Sequence, residues 1–414
     1  MGILVFLFSQ IDSLSLNQAI DIALRQGPAY LESKETLAKS RIQFYQALSY
    51  LLPTTTTTGA WIHSEFNNLT TEKYSSSINF SVPVFDLDII SSIVVAKGQE
   101  KGIAIQHNQE TADLILNLKK SYYNLITANE LLNSSQKALE RAVENKKLVE
   151  TKYNLGSASK LELLQAEVFY LQTLQNNSQA RTLETQAQQE IKTMLNIEHQ
   201  IYPKDSLTIS DTFALPSLDS LKEILMKTNL SIRLAKQMSS LSKANLWFST
   251  LAFLPRISVF YGYNTSIDSF VFDFDYWREN ATKNYGVNIT FPIFEIKTLI
   301  FDYLTAKKDV KIKKYSQHRA ILESEKALYT SYFSLQESID KLKYAKKSLE
   351  VAEEAIVIAR EQYSLGVISI LDFLRTEDEY YNARVNLLRA LSDFYTNQAT
   401  LSYLLGKSTI EELR

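Results

Sequence analysis

The sequence predicts a mainly α fold with a membrane β-barrel portion, in which a duplicated unit supplies a long antiparallel coiled-coil α-barrel and four β-strands per chain. Three observations lead to this prediction: breaker residues are scarce, a set of short motifs occurs twice, and the period of the apolar pattern changes along the chain. The 414 residues contain 10 Gly and 7 Pro, whereas average usage would give about 29 and about 21. So few breakers allow long uninterrupted elements.

Four short motifs recur in the same order in both halves of the chain. Ser-Leu at 15–16 recurs at 217–218, and Leu-Pro at 52–53 recurs at 254–255. Val-Pro-Val-Phe at 82–85 recurs as Phe-Pro-Ile-Phe at 291–294, and Lys-Tyr-Asn-Leu-Gly at 152–156 recurs as Gln-Tyr-Ser-Leu-Gly at 362–366. Such self-similarity indicates a structural repeat. We therefore divide the chain into an N-terminal segment at 1–14, a first repeat at 15–207 and a second repeat at 208–414.

Within each repeat the apolar period predicts the same order of elements. A helix broken near Gly27 precedes a β-hairpin at 53–84, and its counterpart precedes a hairpin at 255–293, where polar and apolar residues alternate. A polar loop is expected at 66–73 and a longer loop at 267–283. Long helices are predicted at 87–155 and 296–365, followed by return helices at 159–197 and 369–405. At 1.5 Å per residue, each long helix would extend for about 100 Å.

The long helices carry a heptad pattern, which predicts a coiled-coil seam. Gly156 and Gly366 follow them and suit left-handed C-caps, so each return helix is expected to fold back as an antiparallel hairpin. The return helices are expected to pack through the apolar residues Leu161, Leu164, Val168 and Leu171, and Leu371, Leu374, Tyr381, Val385 and Leu388. The seam positions are Ala128, Leu132, Ser135, Leu139, Ala142, Lys146, Val149 and Tyr153, with Ser338, Leu342, Ala345, Leu349, Ala352, Ile356, Ala359 and Tyr363 in the second repeat.

Four strands with one polar and one apolar face cannot close a barrel alone, and an open amphipathic sheet would leave two edges exposed. Three copies would supply twelve strands, within the range of membrane β-barrels. Aromatic residues near the predicted strand ends suit interfacial girdles: Trp61, Tyr74, Tyr261, Tyr263, Tyr285 and Phe291. A soluble β-sandwich fragment on a coiled coil is the alternative.

Composition excludes several functional classes. The net charge of -2 argues against a nucleic-acid binder, and the absence of cysteine removes disulfides and thiolate sites. Catalytic motifs are missing and the four His are scattered, so neither an enzyme nor a metal or cofactor is expected. Gly98 and Gly102 form a GxxxG pattern among charged residues, which favours a solvated helix face. The apolar N-terminal run lacks a preceding basic residue, which fits either the remnant of an export signal or a buried segment.

The order of elements and the recurring motifs resemble the TolC family of outer-membrane efflux proteins. The resemblance covers nearly the whole chain and implies a homotrimer with a twelve-stranded barrel in outer-membrane lipid and a helical barrel in the periplasm. It also implies an exit duct for an inner-membrane transporter, joined through a periplasmic adaptor (membrane fusion) protein, in an efflux pump or a type I secretion system. A non-transport coiled-coil scaffold of the cell envelope is the alternative function.

The resemblance places a pore constriction at the hairpin tips. Asp372 falls on the family's constriction acid, Glu162 is its counterpart in the first tip, and Arg375 stands where some members carry a second acid. Tyr153 and Tyr363 belong to the Tyr-x-x-Gly motif, and Ile368 replaces an Arg that ties the closed tip of the best-known member. The alternative is that Asp372, Glu377, Asp378 and Glu379 form a solvated helix start. Strand-helix junctions are expected at Pro53, Pro83, Pro255 and Pro292.

Overall fold

The computed structural model describes residues 13–67, 69–208, 215–267, 274–291 and 296–406. The N-terminal segment up to residue 12 and Pro292 lie outside these ranges. The N-terminal segment ends in β1 (Ser13–Leu14). The first repeat contains α1 (Leu16–Gln26), α2 (Pro28–Ser49), β2 (Thr54–Phe66), β3 (Leu69–Phe85), α3 (Leu87–Asn154), α4 (Lys160–Leu195) and β4 (Tyr202–Pro203). The second repeat contains α5 (Leu218–Thr228), α6 (Leu230–Leu251), β5 (Arg256–Ile267), α7 (Phe274–Glu279), β6 (Thr282–Thr290), α8 (Ile296–Ser364) and α9 (Ile370–Leu404).

The duplication in the sequence reappears in the lengths of the helices. α1 and α5 have 11 residues each and α2 and α6 have 22 each, while α3 and α8 have 68 and 69 and α4 and α9 have 36 and 35. The recurring Ser-Leu motif also has a structural reason: Ser15 and Ser217 are the N-caps of α1 and α5.

The four longer strands form one antiparallel sheet in the order β2-β3-β5-β6, so β2 and β6 are its edges. The strand register gives this sheet two different faces, because successive side chains alternate between them. One face is mostly polar and carries, among others, Thr56, Ser77, Asn79, Ser258, Asn264, Asn284 and Asn288. The other face is mostly apolar and carries, among others, Ile78, Phe80, Val82, Val259, Tyr261, Tyr285, Val287 and Ile289.

The strands are longer than the sequence indicated. The loop expected at 66–73 is wrong, because β2 runs to Phe66 and β3 resumes at Leu69. The β-branched Thr70 and Thr71 pair with Glu65 and Ser64 and extend the ladder. The second hairpin loop, expected at 267–283, contains the short helix α7.

Three of the four expected strand-helix junctions fall within the described residues. Pro53 and Pro255 stand directly before β2 and β5. Pro83 is not at the junction, because β3 continues to Phe85 through a register shift. A bulge of this kind tolerates a proline, since its missing N–H leaves one ladder bond unmade.

The chain forms two compact units, and each unit draws on both repeats. Unit 1 comprises residues 1–33, 108–230 and 321–414, and unit 2 comprises residues 34–107 and 231–320. The repeats are therefore not separate folding compartments. None of the described helices contains a stretch apolar enough to cross a membrane.

A buried cluster in unit 1 joins the start of the first repeat to the segment after α4. The Tyr122 hydroxyl lies 2.7 Å from the Leu14 carbonyl oxygen and 2.9 Å from Oδ2 of Asp205, and the Leu16 N–H donates to the same Oδ2 over 2.8 Å. Burial and the hydrogen bond to Asp205 raise the pKa of Tyr122. Leu14 is 2% exposed, so the last residue of the segment assigned to 1–14 belongs to this core.

In unit 2, the GxxxG pattern is a close helix contact, and the expectation of a solvated face is wrong. A Cβ added to Gly98 would lie 2.6 Å from Cδ1 of Leu241, and one added to Gly102 would lie 2.4 Å from Cε of Met238. The Gln237 side chain also donates to the Gly98 carbonyl over 3.0 Å. The absence of side chains at these two positions therefore lets α3 and α6 pack closely.

Gly98→Val should lower the thermal midpoint of unfolding, because the added side chain overlaps Leu241. Overpacking of this kind costs about 1–3 kcal/mol. Gly59→Val is the control, since nothing lies within 4 Å of a Cβ at Gly59. The midpoints would be followed by circular dichroism of the helices in detergent. Equal midpoints for the two variants would show that α6 does not need this close approach.

Candidate functional site: the paired hairpin tips

Each long helix ends in a tight turn centred on glycine. Gly156 has φ +74° and Gly366 has φ +73°, in the left-handed region that favours glycine. The N–H groups of Ser157 and Val367 reach back to the carbonyls of Lys152 and Gln362 over 2.8 Å each. These bonds satisfy carbonyls that would otherwise lack a hydrogen-bond partner at the helix ends. Because the φ angles and the hydrogen bonds match, the two tips have the same backbone geometry.

Both return helices start with a serine cap that the sequence analysis did not assign. Ser159 N–H donates to Oε2 of Glu162 over 2.6 Å, and Glu162 N–H donates to Oγ of Ser159 over 3.2 Å, which completes a capping box. Ser369 caps α9 in a related way: its hydroxyl donates to Oδ2 of Asp372 over 2.6 Å, and Asp372 N–H donates back over 3.2 Å. The two candidate constriction acids are therefore also cap residues. The signal was a Ser three residues before each acid.

The remaining candidate residues differ in exposure. Asp372 and Arg375 are exposed, so their charges face solvent in the single chain. Tyr153 is also exposed, and the ammonium of Lys160 lies 5.5 Å from its ring centre. Ile368 is half-buried and packs on the apolar cluster of the tips.

Tyr363 holds the two tips together. Its ring stacks on Phe373 with centres 4.9 Å apart and planes 2° apart, and the Lys152 ammonium from the first tip lies 4.7 Å from its centre. Burial and, to a lesser degree, the charge of Glu162 raise the pKa of Tyr363. The structure thus brings Tyr363 near Glu162 of the other hairpin. Tyr363 also packs on an apolar cluster that includes Val149, Ala166, Ile356 and Ile370.

A buried ion cluster near the tips was missed by the sequence analysis. The Glu377 side chain is 4% exposed, so its assignment to a solvated helix start is wrong. Its Oε2 lies 2.9 Å from Nε of Arg141 on α3, and its Oε1 lies 3.3 Å from Nη2 of Arg360 on α8. A buried carboxylate needs such partners, and we call these three residues the Glu377 clamp.

One signal in the sequence marks Glu377 as an inward position. It follows Leu374 by three residues and Phe373 by four, which is the spacing of one helix face. Both of those residues are buried. Read with its apolar neighbours, Glu377 continues the packed face of α9.

The apolar series predicted to pack the first return helix faces outward instead. Leu161, Leu164, Val168 and Leu171 are all exposed. The buried residues of α4 are mostly small or polar, which permits a close approach to α3 and a 3.1 Å hydrogen bond from Nδ2 of Asn177 to Oγ of Ser135. In the second return helix, Leu374 and Val385 are buried as predicted, whereas Leu371 is exposed.

Three residues of the outward series lie on one wall of a groove of about 600 Å³ between α4 and α9. Leu161, Leu164 and Val168 line it from α4, and Leu371 and Leu374 line it from α9. Arg375, Asp378 and Glu379 also border the groove. It thus combines an apolar floor with charged groups, an arrangement suited to contact with another protein.

If the tips line a pore, as the resemblance implies, Asp372→Asn should lower the cation-to-anion permeability ratio about twofold, because copies of this acid around an axis would concentrate cations. Asparagine keeps an oxygen for the Ser369 hydroxyl, so the cap should survive. Arg375→Ala should raise the ratio, since an i,i+3 base screens the acid by a few tenths of a kcal/mol, roughly.

Single-channel reversal potentials under a salt gradient measure this ratio. Glu353→Gln, at another exposed acid, is the control and should leave it unchanged. Unchanged ratios in both the Asp372 and Arg375 variants would reduce Asp372 to a helix-start acid.

The described residues contain no group of three or more His, Asp or Glu side chains that could hold a metal ion. His63 contacts a single acid, with Nδ1 3.3 Å from Oε1 of Glu72. The side chains assembled at the tips are apolar residues, caps and ion pairs, which suit mechanical coupling between helices.

Comparisons with known proteins cover both repeats. The family model described as outer membrane efflux protein matches residues 19–196 and 224–407. The chain is 21% identical to the outer membrane protein TolC of Escherichia coli K12 over 85% of this chain and 73% of that protein. It is 25% identical to the solvent efflux pump outer membrane protein SrpC of Pseudomonas putida, over 78% of this chain and 70% of that protein. A crystal structure of CusC matches with a TM-score of 0.81 at 19% identity, over 95% of this chain and 92% of that one.

Proposed function

The chain belongs to the outer membrane efflux protein family, and we propose that three copies of it form a passive exit duct. It is an outer-membrane channel component of an efflux pump or secretion system, with its helices in the periplasm. The barrel would be a twelve-stranded cylinder to which each copy contributes four strands. A non-transport scaffold is not favoured, since the matched relatives are named as outer-membrane and efflux proteins.

The sheet carries this proposal. Its apolar face suits lipid, its polar face suits a water-filled lumen, and its edges β2 and β6 lack a partner within the described chain. Unpaired backbone groups are costly in lipid, so the edges must be closed. Pairing of β2 with β6 of the next copy closes them and generates a ring.

The same closure brings two exposed helix faces together. α2 leads into β2 and α8 follows β6, so α2 of one copy would lie antiparallel to α8 of the next. On α2, Ile42 and Tyr45 are 68% and 67% exposed, and on α8, Ile300 and Leu304 are 52% and 45% exposed. We call the pairing of these two faces the α2–α8 seam.

The residues that would meet in the α2–α8 seam lie at similar distances from the sheet and have complementary polarity. Tyr45 lies four residues before the end of α2 at Ser49, and Ile300 lies four residues after the start of α8 at Ile296. Further from the sheet, Glu35 lies fourteen residues before Ser49 and Lys311 fifteen after Ile296. Apolar residues would thus meet near the sheet, and opposite charges would meet below them.

The duct needs partners that supply energy and cargo. An inner-membrane transporter would select the substrate, and a periplasmic adaptor would join it to the tips. The groove between α4 and α9, with its exposed leucines, supports docking of an adaptor at this end. In such a complex the transporter would supply the energy, and the channel itself would carry out no catalytic step.

Membrane fractionation tests the proposal. On a density gradient of disrupted cells, the protein should sediment with the outer membrane, and after detergent extraction it should have the mass of three chains. Recovery of the protein in the soluble fraction as a monomer, with the β-sheet signal in its circular dichroism spectrum intact, would contradict the proposed duct and favour a scaffold.

The loop at 267–283 is expected to face outside the cell, because long loops of such barrels do so. The chain has no cysteine, so Tyr276→Cys, at an exposed residue of α7, introduces a single thiol. An impermeant thiol reagent should label it on intact cells. Leu365→Cys at a tip is the control and should react only after permeabilisation; the reverse pattern would invert the orientation.

A further inference from the structure

The helical segments next to the sheet carry a large excess of basic side chains. Fifteen Lys and Arg but only five Asp and Glu lie in four such segments: 34–49 of α2, 87–107 of α3, 231–251 of α6 and 296–320 of α8. These segments therefore carry a net charge of +10 in a chain whose net charge is -2. All fifteen basic residues are exposed, and we call them the basic belt. The rest of the chain is correspondingly acidic.

The part of the basic belt on α8 that the test below changes lies well away from the strands. All four segments belong to unit 2 and adjoin a strand at one end. Lys307, Lys308 and Lys314 lie eleven to eighteen residues after the start of α8 at Ile296, which is about 17–27 Å along the helix. At this distance from the strands, the electrostatic interaction of these three lysines with lipid headgroups is largely screened, because the Debye length at physiological salt is about 8 Å.

The belt presents basic groups on more than one side of α8. Lys307 and Lys314 are seven residues apart and share one face, and Lys308 and Arg319 are eleven apart and share another. These two faces flank the side of α8 that we assign to the seam. One flank would face the lumen and the other the periplasm, so the outer surface carries basic groups from α8 in either case.

We propose that the basic belt binds a carboxylate-rich polymer that lies in the periplasm beneath the outer membrane. The inference rests on the proposed function, because it needs the trimer to extend from the membrane into the periplasm. Three copies would surround the duct with forty-five basic side chains, fifteen from each, and a field of one sign over such an area attracts polyanions. The contact would hold the duct at a fixed height in the cell envelope.

Sedimentation with isolated peptidoglycan sacculi tests the proposal, using the full-length protein in detergent. The protein should pellet with sacculi at about 0.1 M salt and be released at about 1 M, where the Debye length falls from about 10 Å to about 3 Å. The triple variant Lys307→Glu, Lys308→Glu, Lys314→Glu should bind about tenfold less. The matched control Lys137→Glu, Lys147→Glu, Lys343→Glu reverses three exposed lysines of unit 1 and should bind within about twofold of the parent.

Two further measurements decide between the possible occupants. Preferential binding to vesicles containing phosphatidylglycerol would overturn the proposal in favour of a lipid contact. A triple variant with altered ion selectivity but unchanged sacculus binding would place the belt's action in the lumen and overturn it as well. Equal loss of binding in the triple and control variants would show a general charge effect, and this result would also overturn the proposal.

Channel recordings separate this inference from the proposed function. If the triple variant still forms trimers and conducts while its sacculus binding is lost, both proposals are supported. If the parent protein forms no channel, the proposed function fails, whether or not the protein binds sacculi. If the parent conducts but does not bind sacculi, only the basic belt proposal fails.

Discussion

Glu377→Ala is expected to loosen the tips and increase the conductance of the channel. The substitution leaves Arg141 and Arg360 without their shared carboxylate, and removal of one partner from a buried ion pair costs about 3–5 kcal/mol. The Arg360 side chain is 60% exposed and can turn to solvent, so we expect about 2–3 kcal/mol here. Because the Glu377 clamp joins α3 to α8 and α9, the loss should free the first hairpin from the second.

Hydrogen exchange and single-channel recording measure the two consequences. Amide protection should fall in the tip-proximal part of α3, and the mean conductance should rise. Glu379→Ala removes an exposed acid two residues away and is the control, with neither effect expected. Glu377→Gln keeps hydrogen-bonding atoms and should lie between the two. An unchanged conductance despite lower protection would show that the clamp stabilises the tips without controlling their aperture.

Tyr45→Cys combined with Ile300→Cys should link neighbouring copies covalently and nearly completely. The parent chain contains no cysteine, so every linked species must come from the introduced pair. A short thiol crosslinker should convert the protein into dimers and trimers on a denaturing gel, because the seam places these two positions at equal height. Each single variant should remain a monomer under the same conditions.

Gln43→Cys with Asp302→Cys is the matched control for the seam, since Gln43 lies six residues before Ser49 and Asp302 six after Ile296. Both positions are exposed on the same two helices but lie off the seam faces, so this pair should crosslink weakly. Linked products from the control alone would place the contact on other faces of α2 and α8. A trimer by mass that yields no linked product with either pair would refute the seam while leaving the duct intact.

Much of the fold could be predicted because its signals are local and repeated. The glycine at each hairpin tip, the heptad positions and the alternation in the strands depend on neighbours a few residues away, and the second repeat restates each of them. The long helices end within one residue of the expected positions: α3 ends at Asn154 and α8 at Ser364. Loops were harder, since Thr70 and Thr71 join the ladder only because a partner strand is present.

The features that the sequence did not disclose depend on contacts between distant segments. The alternative of a solvated helix start included Glu377 because its neighbours are acids, whereas its partner Arg141 lies 236 residues away in the chain. Gly98 was assigned to solvent because its neighbours are charged, although only the packing of Leu241 explains the glycine. In α4, the large apolar residues suggested the packing face, but the small and polar residues on another face allow the closer contact with α3.

Reconstitution of the purified protein in a planar bilayer tests the central claim most directly. If three copies close one barrel, single insertion events should give a stable, uniform conductance, and native mass spectrometry of the same sample should give the mass of three chains. The cysteine pair of the seam should preserve both after crosslinking. Conductance from monomers, or trimers that never conduct under any applied voltage, would contradict the account.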